Sequence, residues 1–245
     1  MRMPLRVARR TVLAATVATV LGLSAGRRVA PASAETAPMT PAEAFRRLLE
    51  GNNRFVAGQP PLAVRTPARR TELAQRQAPF AAVLTCADSR VAPEILFDQG
   101  LGDLYVVRTA GVVADPVTIG SLEFAIEIFA LPLVVVLGHE RCDAVLAAIE
   151  ALQHGSLPAG QIGAVIEALR PAVQLARLRA QLAALRVPPD TEPDLPEAAV
   201  RAQVAGVVER LRRAGPVIAP RLQRDQLRVV GLRYDLETGG VEIVA

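Results

Sequence analysis

The chain has 245 residues, 51% of them apolar and 21% charged, which excludes a disordered or fibrous protein. Two cysteines exclude a fold stapled by several disulfides, and 3% aromatics with no Trp argue against a nucleic-acid binder built on base stacking. The formal charge of +4 belongs to the N-terminus. Residues 1–34 hold six Arg and no acid, so the remainder has 22 basic against 24 acidic residues and no electrostatic case for nucleic acid or an anionic membrane.

The first ten residues are basic and end in Arg9-Arg10; Thr11 to Leu23 is then apolar and small. That run is too short for a stable span, which needs about 20 residues, and fits the apolar region of a signal peptide. Ala32-Ser33-Ala34 forms a cleavage signal, so a mature protein is expected to start near Glu35. The paired arginines resemble a twin-arginine export signal. The expected division is a signal peptide at 1–34 and one domain at 35–245, exported to the periplasm, the cell surface or the medium, with no membrane span in the mature chain.

Pro41 to Gly58 has apolar residues at helical spacing (Ala44, Leu48, Leu49, Phe55), with Pro41 suited to a first turn and Gly58 to a stop. Residues 62–78 are polar and read as a loop with a short helix. Three continuous apolar runs follow, Phe80–Thr85, Leu104–Val107 and Leu131–Leu137, as expected of strands buried on both faces of a parallel sheet. A helical pattern between the second and third makes a right-handed βαβ unit. Further helices are expected from Asp143 to His154, over about 160–185 and over about 196–214, with a proline-rich break from Pro188 to Pro196 between the last two. Gly239-Gly240 between two β-prone runs reads as a closing hairpin. The fold class is α/β, with a mostly parallel central sheet flanked by helices.

Chemistry concentrates where the first and third runs end. Residues two apart in an extended segment share a side, so Cys86, Asp88 and Arg90 are expected on one face at the strand's C-terminal end, where open α/β sheets bind ligands. His139 and Cys142, three apart, can aim at one centre from a tight turn or a first helical turn. Cys86, His139 and Cys142 then give two thiolates and one imidazole, a three-ligand set that leaves a fourth position for water, as in catalytic zinc sites. A disulfide between Cys86 and Cys142 is the alternative in an exported protein, although it explains neither the nearby histidine nor the flanking Asp and Arg. His154, before Gly155, is expected on the surface near a helix C-terminus.

CADSR at residues 86–90, followed by GHERC at 138–142, resembles the metal motifs of the β-class carbonic anhydrases. EGNNRF, Gln77-x-Pro79, ILFDQGLGDLYVVRTAG, GSLEFAI and GLRYDLETG extend the likeness over most of residues 40–245. The resemblance implies a β-carbonic-anhydrase-like domain holding one zinc ion per chain. It implies reversible hydration of carbon dioxide to bicarbonate and a proton by a zinc-bound hydroxide that the Asp88–Arg90 pair orients. In a closed form Asp88 itself becomes a metal ligand. It also implies that Gln77 binds substrate from a neighbouring subunit or a nearby loop, and a homodimer or larger homo-oligomer with a projecting N-terminal helix packed across a partner. Two thiolates should make the bound water more basic than the value of about 7 found with three imidazoles, so activity should favour alkaline pH.

Three positions depart from the family pattern. Asp143 stands where Gly is usual, at a position whose backbone N–H points toward substrate; Glu140 stands where Ser or Thr is common; Thr109 replaces Asn. The extra acids are expected to affect rate more than fold. Two other readings keep the fold: a hydrolase of carbon disulfide or carbonyl sulfide, and a degraded, non-enzymatic homologue.

Overall fold

Residues 39–62, 66–184 and 194–245 are described by the computed structural model. The expected signal at 1–34 and most of the proline-rich break lie outside the described residues. Five strands form one sheet: β1 (Ala81–Cys86), β2 (Leu104–Thr109), β3 (Leu133–His139), β4 (Arg228–Tyr234) and β5 (Val241–Ile243), in the order β2-β1-β3-β4-β5. The first four run parallel, and β5 pairs antiparallel with β4 as the closing hairpin.

Period-two alternation sorts the strand side chains into two cores. On one face Ala82, Leu84, Val134 and Val136 pack against α4 (Pro116–Phe129), α5 (Asp143–His154), α6 (Ile162–Ala184), α7 (Leu195–Arg212) and α8 (Ile218–Gln223). On the other, Ala81, Val83, Leu133 and Val135 meet α1 (Pro41–Val56) and the short α3 (Pro93–Leu96). The short α2 (Pro67–Leu73) lies within the stretch expected to be loop with a short helix. Gly138 and the valines of α7 show how close the packing is: a Cβ at Gly138 would lie 2.5 Å from Val204.

Three expectations need correction. The N-terminal helix α1 does not project. Ala44 and Leu48 are fully buried against the chain's own sheet. Asn52 is also buried: it donates to the Leu96 and Gly239 carbonyls at 3.0 and 2.8 Å and accepts from Val241 N–H at 3.2 Å. A buried amide so satisfied ties the helix to its own domain. The second correction is β2, which is half-exposed where burial on both faces was expected. It is the edge strand, and a short apolar run does not distinguish edge from centre. Strand β3 also starts later than expected, after Pro132, which has no N–H for a ladder.

The chain passes from β1 to β2 on one side and then crosses back through α4 to β3 on the other side of β1. The C-terminal ends of β1 and β3 therefore flank the topological switch point, the crevice where open α/β sheets bind ligands.

Candidate metal centre

Cys86 is the last residue of β1 and His139 the last of β3, and those strands pair in parallel. Cys142 caps the N-terminus of α5 three residues later. The sheet register thus delivers two ligands and the turn into α5 delivers the third. The two Sγ atoms and the imidazole nitrogen lie within 4.8 Å of one another, and all three residues are buried. The sulfurs are unbonded and 3.9 Å apart, far beyond the roughly 2.05 Å of a disulfide.

The histidine decides what this cluster is for. Its Nδ1 lies 2.8 Å from the Glu140 carbonyl, which can only accept, so Nδ1 carries the proton and Nε2 presents a lone pair. That Nε2 is buried and, among the described residues, has no hydrogen-bond partner. An orphaned buried acceptor is costly unless a ligand completes it. Two sulfurs and an imidazole suit a tetrahedral zinc ion with one position open, so the residues fit the metal.

The electrostatics agree. The hydrogen bond from the Cys142 thiol holds the Cys86 thiol well below its ordinary pKa, against the opposing effect of burial, with His139 and the Gly111 amide assisting. Gly111 N–H points at Cys86 Sγ from 3.4 Å. Sharing that bond with Cys86, together with burial, pushes Cys142 up. The first thiolate forms readily and the second is resisted, a pattern that a divalent cation reverses by stabilising both. Burial pulls the His139 pKa down, but the Cys86 sulfur and the Asp88 carboxylate raise it on balance.

Asp88 and Arg90 meet, but not as an extended strand would bring them. Strand β1 ends at Cys86, and a turn folds Arg90 back so that its backbone N–H and Nε both donate to Asp88 Oδ1 at 2.9 Å, and Nη2 donates to Oδ2 at 2.6 Å. These bonds hold Asp88 ionised, with a pKa of about 2. Its Oδ2 lies 3.7 Å from His139 Nε2, on the rim of the cluster. Arg90 Nη2 also donates to the Arg141 carbonyl at 3.2 Å and so joins the two motif loops.

Asp143 occupies the first turn of α5, exposed, with its charge toward Arg90. Gln77 is exposed in a different surface cavity, of about 620 Å³, beside Arg70, Leu101 and Gly102; this chain does not bring it to the cluster. Another surface cavity, of about 670 Å³, is lined by Arg47, Arg54 and Asp98 and contains none of the site residues. His154 is exposed at the C-terminal end of α5, as expected, with Nδ1 3.0 Å from the Glu150 carbonyl. Thr109 turns its hydroxyl to the Val113 carbonyl at 2.8 Å.

Arg108 escaped the sequence reading. Its Nε donates to the Cys86 carbonyl at 3.1 Å and its Nη2 to the Asp88 carbonyl at 2.6 Å, fixing the turn that carries both site residues. Its only signal was its place in the VVRTAG stretch.

These features define an α/β protein with a Cys-His-Cys cluster that could hold a metal at a switch point and a carboxylate–guanidinium pair beside it. The family model described as carbonic anhydrase matches residues 81–241. Carbonic anhydrase 2 of Mycobacterium tuberculosis is 42% identical over 199 residues, covering 81% of this chain and 90% of the relative. The carbonic anhydrase of Mycolicibacterium smegmatis is 42% identical over 203 residues, covering 83% and 93%. Among solved structures, a Coccomyxa β-carbonic anhydrase in complex with acetazolamide matches at 25% identity and a TM-score of 0.59, covering 80% of this chain and 84% of that one. The chain belongs to the carbonic anhydrase family, in its β class.

Proposed function

We propose that this chain catalyses the reversible hydration of carbon dioxide to bicarbonate and a proton, with one zinc ion held by Cys86, His139 and Cys142. The observation that carries this is the buried Nε2 of His139, unpartnered among the described residues and close to two unbonded sulfurs. When bound there, zinc lowers the pKa of a coordinated water enough to supply a nucleophile near neutral pH.

The chain's own residues do the rest. Asp88 is ionised throughout the working range and can only accept, so it takes a hydrogen bond from the attacking oxygen and turns that oxygen's lone pair toward carbon dioxide. Arg90 fixes the carboxylate in that pose and keeps it from closing on the ligands. The Asp143 amide, at the N-terminus of α5, faces the product's negative charge.

A second copy of the chain supplies Gln77. The face of α4 that carries Val117, Phe124 and Ile128 leaves them 78%, 57% and 60% exposed, and the edge strand β2 is half-exposed. Such a surface supports a homodimer or larger homo-oligomer. Residues 1–34 direct export by the twin-arginine route, and the mature chain begins near Glu35. Among the described residues no helix is long and apolar enough to cross a membrane.

Metal analysis of the purified protein, together with stopped-flow hydration assays across pH, tests the reading. One zinc per chain, with hydration that rises toward alkaline pH, is expected. Zinc without hydration at pH 8–9 would refute it, and turnover of carbonyl sulfide alone would move the chain to the hydrolase reading. The mass of the exported protein tests the cleavage site.

A further inference from the structure

The acid between the two ligands of the second motif has a destination the sequence did not show. The Glu140 carboxylate, one of the extra acids expected to affect rate, turns toward the closing hairpin. Its Oε1 accepts the Leu236 N–H at 2.7 Å and Arg141 Nη2 at 2.9 Å, and its Oε2 accepts Arg233 Nη2 at 3.1 Å. The same residue's backbone is held at both ends. Its N–H donates to the Tyr234 carbonyl at 3.2 Å, and its carbonyl receives the His139 Nδ1 proton at 2.8 Å.

We propose that Glu140 is a positioning residue that fixes the tautomer and ring orientation of His139 through a clamp formed with Arg233 and the Leu236 amide. This rests on the metal reading above. The proton on Nδ1 frees Nε2 for the metal only while the Glu140 carbonyl stays in place. That carbonyl's direction is set by the backbone of Glu140, which the side-chain clamp immobilises. The next residue, Arg141, has φ +48°, a left-handed conformation a non-glycine residue adopts only when its surroundings enforce it. Glu140, Glu237 and Arg90 are what enforce it: the first two bind the Arg141 guanidinium and the third its carbonyl. The same turn returns the chain to Cys142, so the clamp governs the spacing of two ligands.

Arg233 is a suitable anchor. Its side chain is only 13% exposed, and Asp235 at 2.8 Å and Glu197 at 3.1 Å fix it from other directions. It meets Glu140 already ordered, and its charge offsets that of the carboxylate beside the cluster. An outer partner that orients a metal-binding histidine typically controls about 10–100-fold in metal affinity.

The test is zinc affinity, measured by competition with a chromophoric chelator, alongside the electronic spectrum of the cobalt(II)-loaded protein. Glu140→Gln keeps the shape but removes the charge and turns an amide donor toward donors. It is expected to bind zinc about 10–100-fold more weakly and to shift the cobalt spectrum. Arg233→Gln should do the same, and the double variant should be no worse than the more affected single one. Should Glu140→Gln not fold, Arg233→Gln carries the test alone. Arg201→Gln breaks the neighbouring pairs with Glu197 and Glu242 without touching Glu140, so its zinc affinity should match wild type. A folded Glu140→Gln or Arg233→Gln protein within about twofold of wild-type zinc affinity overturns the clamp and leaves the metal reading standing. Equal weakening in Arg201→Gln also overturns it, by showing a general loss of stability. A wild-type chain that takes up no zinc overturns both readings.

Discussion

Replacing Gly111 with alanine adds one methyl group at the wall of the candidate metal centre. Gly111 has φ +67°, follows β2, and is buried with its N–H on the Cys86 sulfur. A Cβ there would lie 2.8 and 3.0 Å from the two Leu169 methyls and 3.3 Å from the Ala144 Cβ. Leu169 is fully buried on α6 and cannot swing into solvent. A left-handed alanine costs about 1–2 kcal/mol and overpacking about 1–3 kcal/mol, so Gly111→Ala should lose roughly 2–5 kcal/mol. At roughly 2–4 °C per kcal/mol for a domain of this size, the melting temperature should fall by roughly 4–20 °C. Gly206 is the control. It is exposed on α7, with ordinary φ and nothing within 4 Å of an added Cβ, so Gly206→Ala should gain up to about 1 kcal/mol from helix propensity. Calorimetric melts of the metal-free proteins measure both. A Gly111→Ala protein melting within about 2 °C of wild type would show that the site wall yields freely, and the packing argument would fail.

Asp88→Asn should lose most hydration activity while retaining one zinc per chain, because the amide can donate as well as accept and no longer fixes the attacking oxygen; an unchanged rate refutes its orienting role. Phe124→Asp, on the exposed face of α4, should shift sedimentation toward monomer and lower turnover as the partner's glutamine is lost; an unaltered oligomer rejects that face as the interface. Asp235 accepts hydrogen bonds from the Thr238 N–H and hydroxyl and from Arg233, which hold its carboxyl far below the usual range. Its folded pKa is depressed, so its contribution is present above the unfolded value of about 4 and fades as pH falls from there toward the folded value. The melting-temperature gap between wild type and Asp235→Asn should therefore hold from about pH 5 to 7 and narrow below about pH 4. A gap that widens in acid contradicts this.

The residues of the candidate metal centre and the α/β class with its parallel strands were legible along the chain; the spatial order of the strands, with β4 beside β3, was not. Motifs three to five residues long, each closing an apolar run, are local features, and continuous apolar runs separated by a helical pattern admit few topologies. The export signal expected at 1–34 rests on equally local features and stands as a proposal. The aim of the Glu140 carboxylate was not legible. It depends on Arg233 and Leu236, more than ninety residues away and delivered by the β3–β4 pairing. Arg108 was indistinguishable from the chain's other arginines until the β1–β2 register set it beside the turn at Cys86. The same holds for α1. Its amphipathic pattern declares an apolar face, but which surface that face covers is settled by packing on its own sheet and by Asn52 reaching the hairpin turn across nearly two hundred residues. Side-chain type and local spacing fix which groups are available. Which of them meet is set by strand register and helix packing, because those alone bring distant parts of the chain within hydrogen-bonding range.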